Sequence, residues 1–242
     1  MMENAPNPYE SPGKYEPSIQ EPFESKSQYR SAGRLVTWLT AMFLLIVGLN
    51  GLLAAGSLLE ATVFSEFAAT DDVSESALPF YLAYACVGLF FLPVFITTVV
   101  LFCMWIYRAN KNARALGAEG MKTTPGWSAG WFFVPLMNLF KPYQATSEIY
   151  RASDPDADRS SWQTSAVSPL LAMWWALWIV SNILDNIGFR LSMRNEATSV
   201  IAGAWASFFG SFLGVPSALL AIWAVRAIHA RQEAKASRLK AR

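Results

Sequence analysis

Asn182, Asp185 and Asn186 stand at i, i+3 and i+4 within an otherwise apolar stretch, so two amides and a carboxylate share one face of a helix. If that helix crosses a bilayer, such a face has the chemistry of an ion or proton path. Asp185 lies about four residues from the outer end of the stretch, where water, Arg190 or Arg194 can solvate it. That plainer role is the expectation. Asn50, alone in an earlier apolar run, fits an interhelical hydrogen bond better than an ion site.

Other chemistry is thinly supplied. The one histidine, His229, cannot build a metal cluster or serve a nucleophile within a membrane. Cys86 and Cys103 are 17 residues apart, roughly 25 Å along a helix, too far to bond to each other. They read as small packing residues. Asp154, Asp156 and Asp158 have the spacing that opens a calcium loop, but the sixth position is Arg159 where glycine is needed and the twelfth is Ser165 where glutamate is needed. A solvated turn is expected there. With no phosphate loop, dinucleotide fingerprint or nucleophile elbow, no catalytic residue, metal site or cofactor is expected.

The elements that must position these residues are four long apolar runs, at about 35–59, 80–107, 169–188 and 200–225. Each exceeds the roughly 20 residues a helix needs to cross a bilayer. Buried core helices of a soluble domain rarely run so long without a charge, and the 53% apolar content is too high for such a domain. A cleaved signal sequence is not expected either, because five acids and five prolines precede the first run. All but Arg190 and Arg194 of the 19 Lys and Arg lie in the arm before the first run, in the 108–168 loop or after the fourth run. The loop after the first run carries only acids, Glu60, Glu66, Asp71, Asp72 and Glu75. The positive-inside rule therefore puts both termini and the central loop in the cytoplasm.

Within that loop, "GWFFVPLMNLFKPYQA" at 130–145 starts like a span and then fills with Asn138, Lys141 and Pro142. A full crossing would move the basic tail outside, and the apolar part is too short and contains Pro135. A re-entrant loop and an interfacial belt both remain. The interfacial form is favoured, with Trp127, Trp131, Phe132, Phe133 and Tyr143 at headgroup level and Lys141 reaching phosphate.

The remaining stretches are read more briefly. Residues 1–30 form a Pro-rich arm with the composition of disorder. The second run continues as helix through "RANKNARALG" to a C-cap at Gly117, and its Arg108, Lys111 and Arg114 could hold anionic headgroups. "YQATSEIYRA" at 143–152 is a short amphipathic helix. In the fourth run Gly203 and Ser207, then Gly210 and Gly214, give a small face for close helix packing, against the same chain or a second copy. Pro93 and Pro216 are expected to kink their helices. The exits "WIYRA" (105–109) and "WAVRA" (223–227) hint at duplicated hairpins, though chance explains them as well.

Taken together, "WIYRANKNARALGA" (105–118), "TPGWSAGWFFVPLMNLFKPYQATSEIYRAS" (124–153) and "WWALW" (174–178) resemble the bacterial membrane family called domain of unknown function 4328. The likeness covers roughly residues 35–230, with Thr124 in place of the usual serine and Phe140 and Tyr150 in place of tryptophans. The resemblance implies a multi-pass membrane protein without an assigned activity. Its motif maps onto Trp105, Arg108, Asn112, Pro125, Gly126, Trp127, Trp131, Pro135, Asn138, Pro142, Tyr143 and Glu148.

The expected fold is thus an all-α membrane protein: four transmembrane helices within residues 31–230, a cytoplasmic interfacial or re-entrant aromatic segment between helices two and three, and a basic tail at 231–242. The expected partners are the lipid bilayer with its anionic headgroups, and a protein partner or a second copy through helix four. No nucleic acid is expected. Three functions stay open: a non-catalytic organiser acting through the cytoplasmic aromatic-basic loop, a small transporter or channel whose 130–145 element lines a cavity, and a lipid enzyme using Glu148 or Asp185.

Overall fold

A stretch that buries its backbone in hydrocarbon must satisfy every N–H and C=O internally, which for a single apolar run means a helix. The computed structural model, which describes residues 28–67, 78–194 and 196–241, is all-helical over those residues. Most of the Pro-rich arm and of the acidic loop after the first run lies outside the described residues. The helices are α1 (Gly33–Phe67), α2 (Leu78–Ala115), α3 (Pro125–Gly130), α4 (Lys141–Ala152), α5 (Pro169–Ser192) and α6 (Ala197–Lys240). Of these, α1, α2, α5 and α6 are long and apolar enough to cross a membrane.

Length decides what these helices do beyond a bilayer. At 1.5 Å per residue, the 44 residues of α6 reach about 66 Å, twice the roughly 30 Å of hydrocarbon. The stretch 231–242 is therefore mostly the last turns of one continuous helix. Likewise α2 carries "RANKNARA" as helix to Ala115. It ends on Gly117 at φ 90°, with Gly117 N–H donating to Arg114 O at 2.9 Å and Ala118 N–H to Ala113 O at 3.1 Å. This paired closure needs the left-handed residue that glycine supplies. Pro93 and Pro216 stay inside unbroken helices.

The start of α1, the end of α2, the start of α5 and the end of α6 meet at one end of the bundle, hereafter the basic end. Asn112 reaches Arg30 there, Gln232 reaches Ala109, and the Phe102 and Trp174 rings lie 6.2 Å apart. Helix α6 is central, packed on α5 at one side and α1 at the other, while α2 leans on α1. The buried core gathers at the basic end around Leu39, Trp105, Ile106, Ile149, Leu171 and Ile228. Away from it the helices present an apolar girdle, with Leu89 75% exposed beside Phe90, Ile96 and Val100. Such a surface belongs against lipid.

The small face of α6 is used within the chain. A Cβ on Gly203 would stand 3.0 Å from both Gly188 O and Ser192 N, and one on Gly210 would meet the Asp185 carboxylate and, at 3.0 Å, its backbone nitrogen. A Cβ on Gly214 would approach the Asn50 amide at 3.0 Å. Ser181 Oγ donates to Gly210 O at 3.0 Å. The glycines thus let α5 and α1 bring their polar side chains onto the α6 backbone, which in an apolar setting supplies partners that lipid cannot. Gly203→Val should part α5 from α6, costing about 1–3 kcal/mol by overpacking and lowering the melting point in detergent by several degrees. The exposed neighbour Ala202→Val should leave it unchanged.

Candidate functional site at the basic end

Polar residues buried at the basic end dictate its shape, because each must find a partner once removed from water. Gln232 of α6, only 1% exposed, donates to Ala109 O at 2.8 Å and to Ser153 Oγ at 3.0 Å. Its carbonyl accepts from Asn112 Nδ2 at 3.4 Å, and the same amide nitrogen donates to Arg30 O at 2.9 Å. One glutamine thereby joins α6 to α2, to the end of α4 and, through Asn112, to the segment before α1. Lys235 donates to Ala152 O at 3.1 Å, a cation placed on the carbonyl end of α4.

Salt bridges extend this seam into the acidic turn. Arg231 pairs with Asp154 at 3.1 Å and lies over the Tyr150 ring at 4.2 Å, while Arg238 pairs with Asp156. Burial pushes the Asp154 carboxyl up, yet hydrogen bonds from Ser165 and the Asp156 amide, with Arg231 and Lys235 beside it, hold it below the usual carboxylate range. Its stabilisation is therefore present above that range and lost as pH falls through the lowered value. Two of the three aspartates with calcium-loop spacing thus anchor the α6 tail.

The loop into α3 is tied down in the same manner. The Glu148 carboxylate accepts from the backbone amides of Lys122 and Thr123, the latter at 3.0 Å. Asn110 Nδ2 donates to Thr123 O at 2.9 Å, and Arg114 donates to the Met121 and Thr123 carbonyls at 3.1 Å. Thr124 then caps α3, accepting from Trp127 N–H at 3.3 Å with Pro125 at the first turn. The rings of Trp127 and Trp131 stack with centroids 4.4 Å apart.

From there the backbone breaks into two 3-10 turns, Trp131–Phe133 and Met137–Leu139, on either side of Val134 and Pro135. Leu136 takes φ 63°, the one positive φ among described non-glycine residues, a conformation that costs of order 1–3 kcal/mol. Phe132 turns inward, 5.3 Å from the Phe102 ring and 5.9 Å from Trp175, whose indole N–H donates to Leu139 O at 2.8 Å. Phe133, Leu136 and Phe140 turn outward, 66, 74 and 62% exposed. The 130–145 stretch is therefore a broken ledge ending in α4, and holds no helix long enough to cross.

Two cavities flank the ledge. One, of about 510 Å³ at the basic end, is walled by Trp127, Trp131, Lys141, Tyr143, Glu148 and Arg151, among others. The other, of about 500 Å³ among the apolar helices, lies between α2 and α5 and is lined by Phe132, Phe133 and Trp175 at one end and by Asn50, Asn182 and Asp185 deeper in. Consecutive residues Trp131 and Phe132 face different cavities, so the ledge is the partition between them.

The candidate residues divide by place. Trp105, Asn112 and Pro142 are buried at the basic end; Trp127, Trp131, Tyr143 and Glu148 line the basic-end cavity; Pro125, Gly126, Pro135 and Asn138 shape the turns. Arg108 is half-buried beyond these walls, and Asn186 is exposed and accepts from Arg190 Nε at 2.7 Å. Sequence reasoning passed over Asn110, Gln232, Lys235 and the Asp154–Arg231 pair. The one available signal was register, since Gln232 falls one turn after the buried Ile228 and two after Val225.

A family model described as a domain of unknown function (DUF4328) matches residues 74–230. The chain belongs to that family. The matched stretch opens just before α2, later than the resemblance implies, and closes just before Arg231. The DUF4328 region thus contains the ledge, α2 to α5 and most of α6, while α1 and the last turns of α6, Gln232 among them, lie outside it. No curated protein and no solved structure matches the chain.

Gln232→Ala removes the buried hydrogen bonds that tie α6 to Ala109, Ser153 and Asn112. The expected cost is about 1–3 kcal/mol, read as a lower melting point together with faster proteolysis in the 231–241 stretch. Ser237→Ala, on the exposed face of the same helix, should change neither.

Proposed function

We propose that this is a multi-pass protein of the cytoplasmic membrane, with both termini and the basic end in the cytoplasm, that organises a lipid or protein partner without catalysing a reaction. The orientation rests on the clustering of Lys and Arg at the ends of α2 and α6 and in the loop between α2 and α5. The observation that carries the reading is the ledge. Its outward Phe133, Leu136 and Phe140 adjoin Lys141, whose ammonium lies 5.7 Å from the Trp131 ring centroid, so apolar and basic groups meet along one line. That is the sequence of environments found from acyl chains to headgroups.

Chemistry supports binding over turnover. The charged groups of the basic-end cavity are Lys122, Lys141, Arg151 and a Glu148 whose carboxylate is occupied by two amides. These hold charge in place and form no nucleophile and base pair. The cavity between α2 and α5 favours a second reading, a transporter or channel, because Asn50, Asn182 and Asp185 line an otherwise apolar space closed at the basic end by Phe132 and Phe133.

The two readings part experimentally. Purification in native lipid followed by mass spectrometry should recover one stoichiometric lipid or protein, lost from the Trp131→Ala, Tyr143→Ala double variant. Ion flux in proteoliposomes that is abolished by Asp185→Asn, with nothing retained on purification, would replace the organising reading with the transporter.

A further inference from the structure

The basic-end cavity has a stated chemistry of its own. Lys122, Lys141 and Arg151 converge on it from the loop before α3, the start of α4 and the end of α4, against one carboxylate, Glu148. Glu148 accepts from the Lys122 and Thr123 amides. The nearby Glu119 faces Arg159 at 3.8 Å. Among the described residues neither Lys122 nor Arg151 has an ion-pair partner, and Lys141 is held over the Trp131 ring. Three cations around a concavity focus a positive potential and favour an anion with several acceptor oxygens.

The same cavity is also lined by aromatic rings. The stacked Trp127 and Trp131 rings, with Tyr143, offer a flat apolar surface, and Trp127 is half exposed. Ser147, whose buried hydroxyl has no partner among the described residues, lines the same cavity. A volume of about 510 Å³ falls within the ordinary range of small-molecule sites. We propose that this cavity binds a phosphate-bearing anion, its phosphate held among Lys122, Lys141 and Arg151 and the rest of the ligand lying on the Trp127–Trp131 stack. The phosphate can belong to an anionic lipid headgroup or to a soluble phosphate compound. The inference deepens the organising reading and rests on it for the ledge lying at headgroup level.

The test uses full-length protein in nanodiscs. In one arm the discs contain phosphatidylcholine with a minor share of phosphatidylglycerol, and native mass spectrometry counts retained phosphatidylglycerol. In the other arm, pure phosphatidylcholine discs are titrated with inorganic pyrophosphate by calorimetry at low salt. Wild-type protein should retain or bind one of the probes, and Lys141→Gln with Arg151→Gln should weaken that binding about tenfold or more. Arg226→Gln, which removes an exposed cation of α6 outside the cavity, should leave it intact. Binding confined to the lipid arm assigns a headgroup; binding of pyrophosphate assigns a soluble ligand. If the double variant fails to fold, the exposed Lys122→Gln substitutes for it. Failure of both probes to bind wild type, or equal losses in Arg226→Gln, overturns the site. A stoichiometric protein partner that still depends on Trp131 and Tyr143 would leave the organising reading standing in that event.

Discussion

Hydrocarbon offers no hydrogen bonds, so a backbone that leaves the helical ladder must find protein or water. The ledge at 131–140 departs from that ladder three times, at Val134, at Pro135 and at Leu136 with its positive φ. Its stability depends on what lies behind it. The indole of Trp175 satisfies Leu139 O, Phe132 is wedged between Phe102 and Trp175, and α4 anchors the far end. The rest of the basic end exists, in physical terms, to hold this broken element in one place.

That support is a polar seam inside an apolar bundle. Gln232, Asn112 and Ser153 are each buried and each hydrogen-bonded, which fixes register as well as proximity: a slip of α6 by one residue would pull Gln232 away from Ala109, Ser153 and Asn112. Farther along the bundle the same helix uses its glycines to bring Asp185 and Asn50 against its backbone. Helix α6 thus organises both ends, by the Gln232 amide at the basic end and by the absence of side chains within the apolar layer.

Much of the architecture was legible from hydropathy alone, because a run of 25 apolar residues has few alternatives to a helix. Gly117 marked the end of α2 correctly for the same kind of reason, a local one. The tail of α6 was not legible as part of the fold. "HARQEAKASRLK" reads as a basic tail, and only the tertiary contact with Ala109 and Ser153 turns Gln232 into a buried residue. The glycines announced close packing, but the spacing of small residues says nothing about which helix approaches. The candidate cavity was half visible: its tryptophans stand out in the sequence, whereas Lys122, Lys141 and Arg151 are far apart along the chain and converge only because Glu148 pins the loop before α3 to α4.

The proposed function turns on the depth of the ledge, and depth can be measured directly. Spin labels at single cysteines replacing Leu136, Phe140 and Gln144, in a background with Cys86 and Cys103 changed to alanine, report collisions with oxygen from the lipid and with a water-soluble nickel chelate. Labels at 136 and 140 should be reached mainly by oxygen at the level where headgroups give way to acyl chains, and the label at 144 mainly by the chelate. Labels at 136 and 140 as open to the chelate as 144, or buried at the bilayer centre, would contradict a ledge lying at the membrane surface.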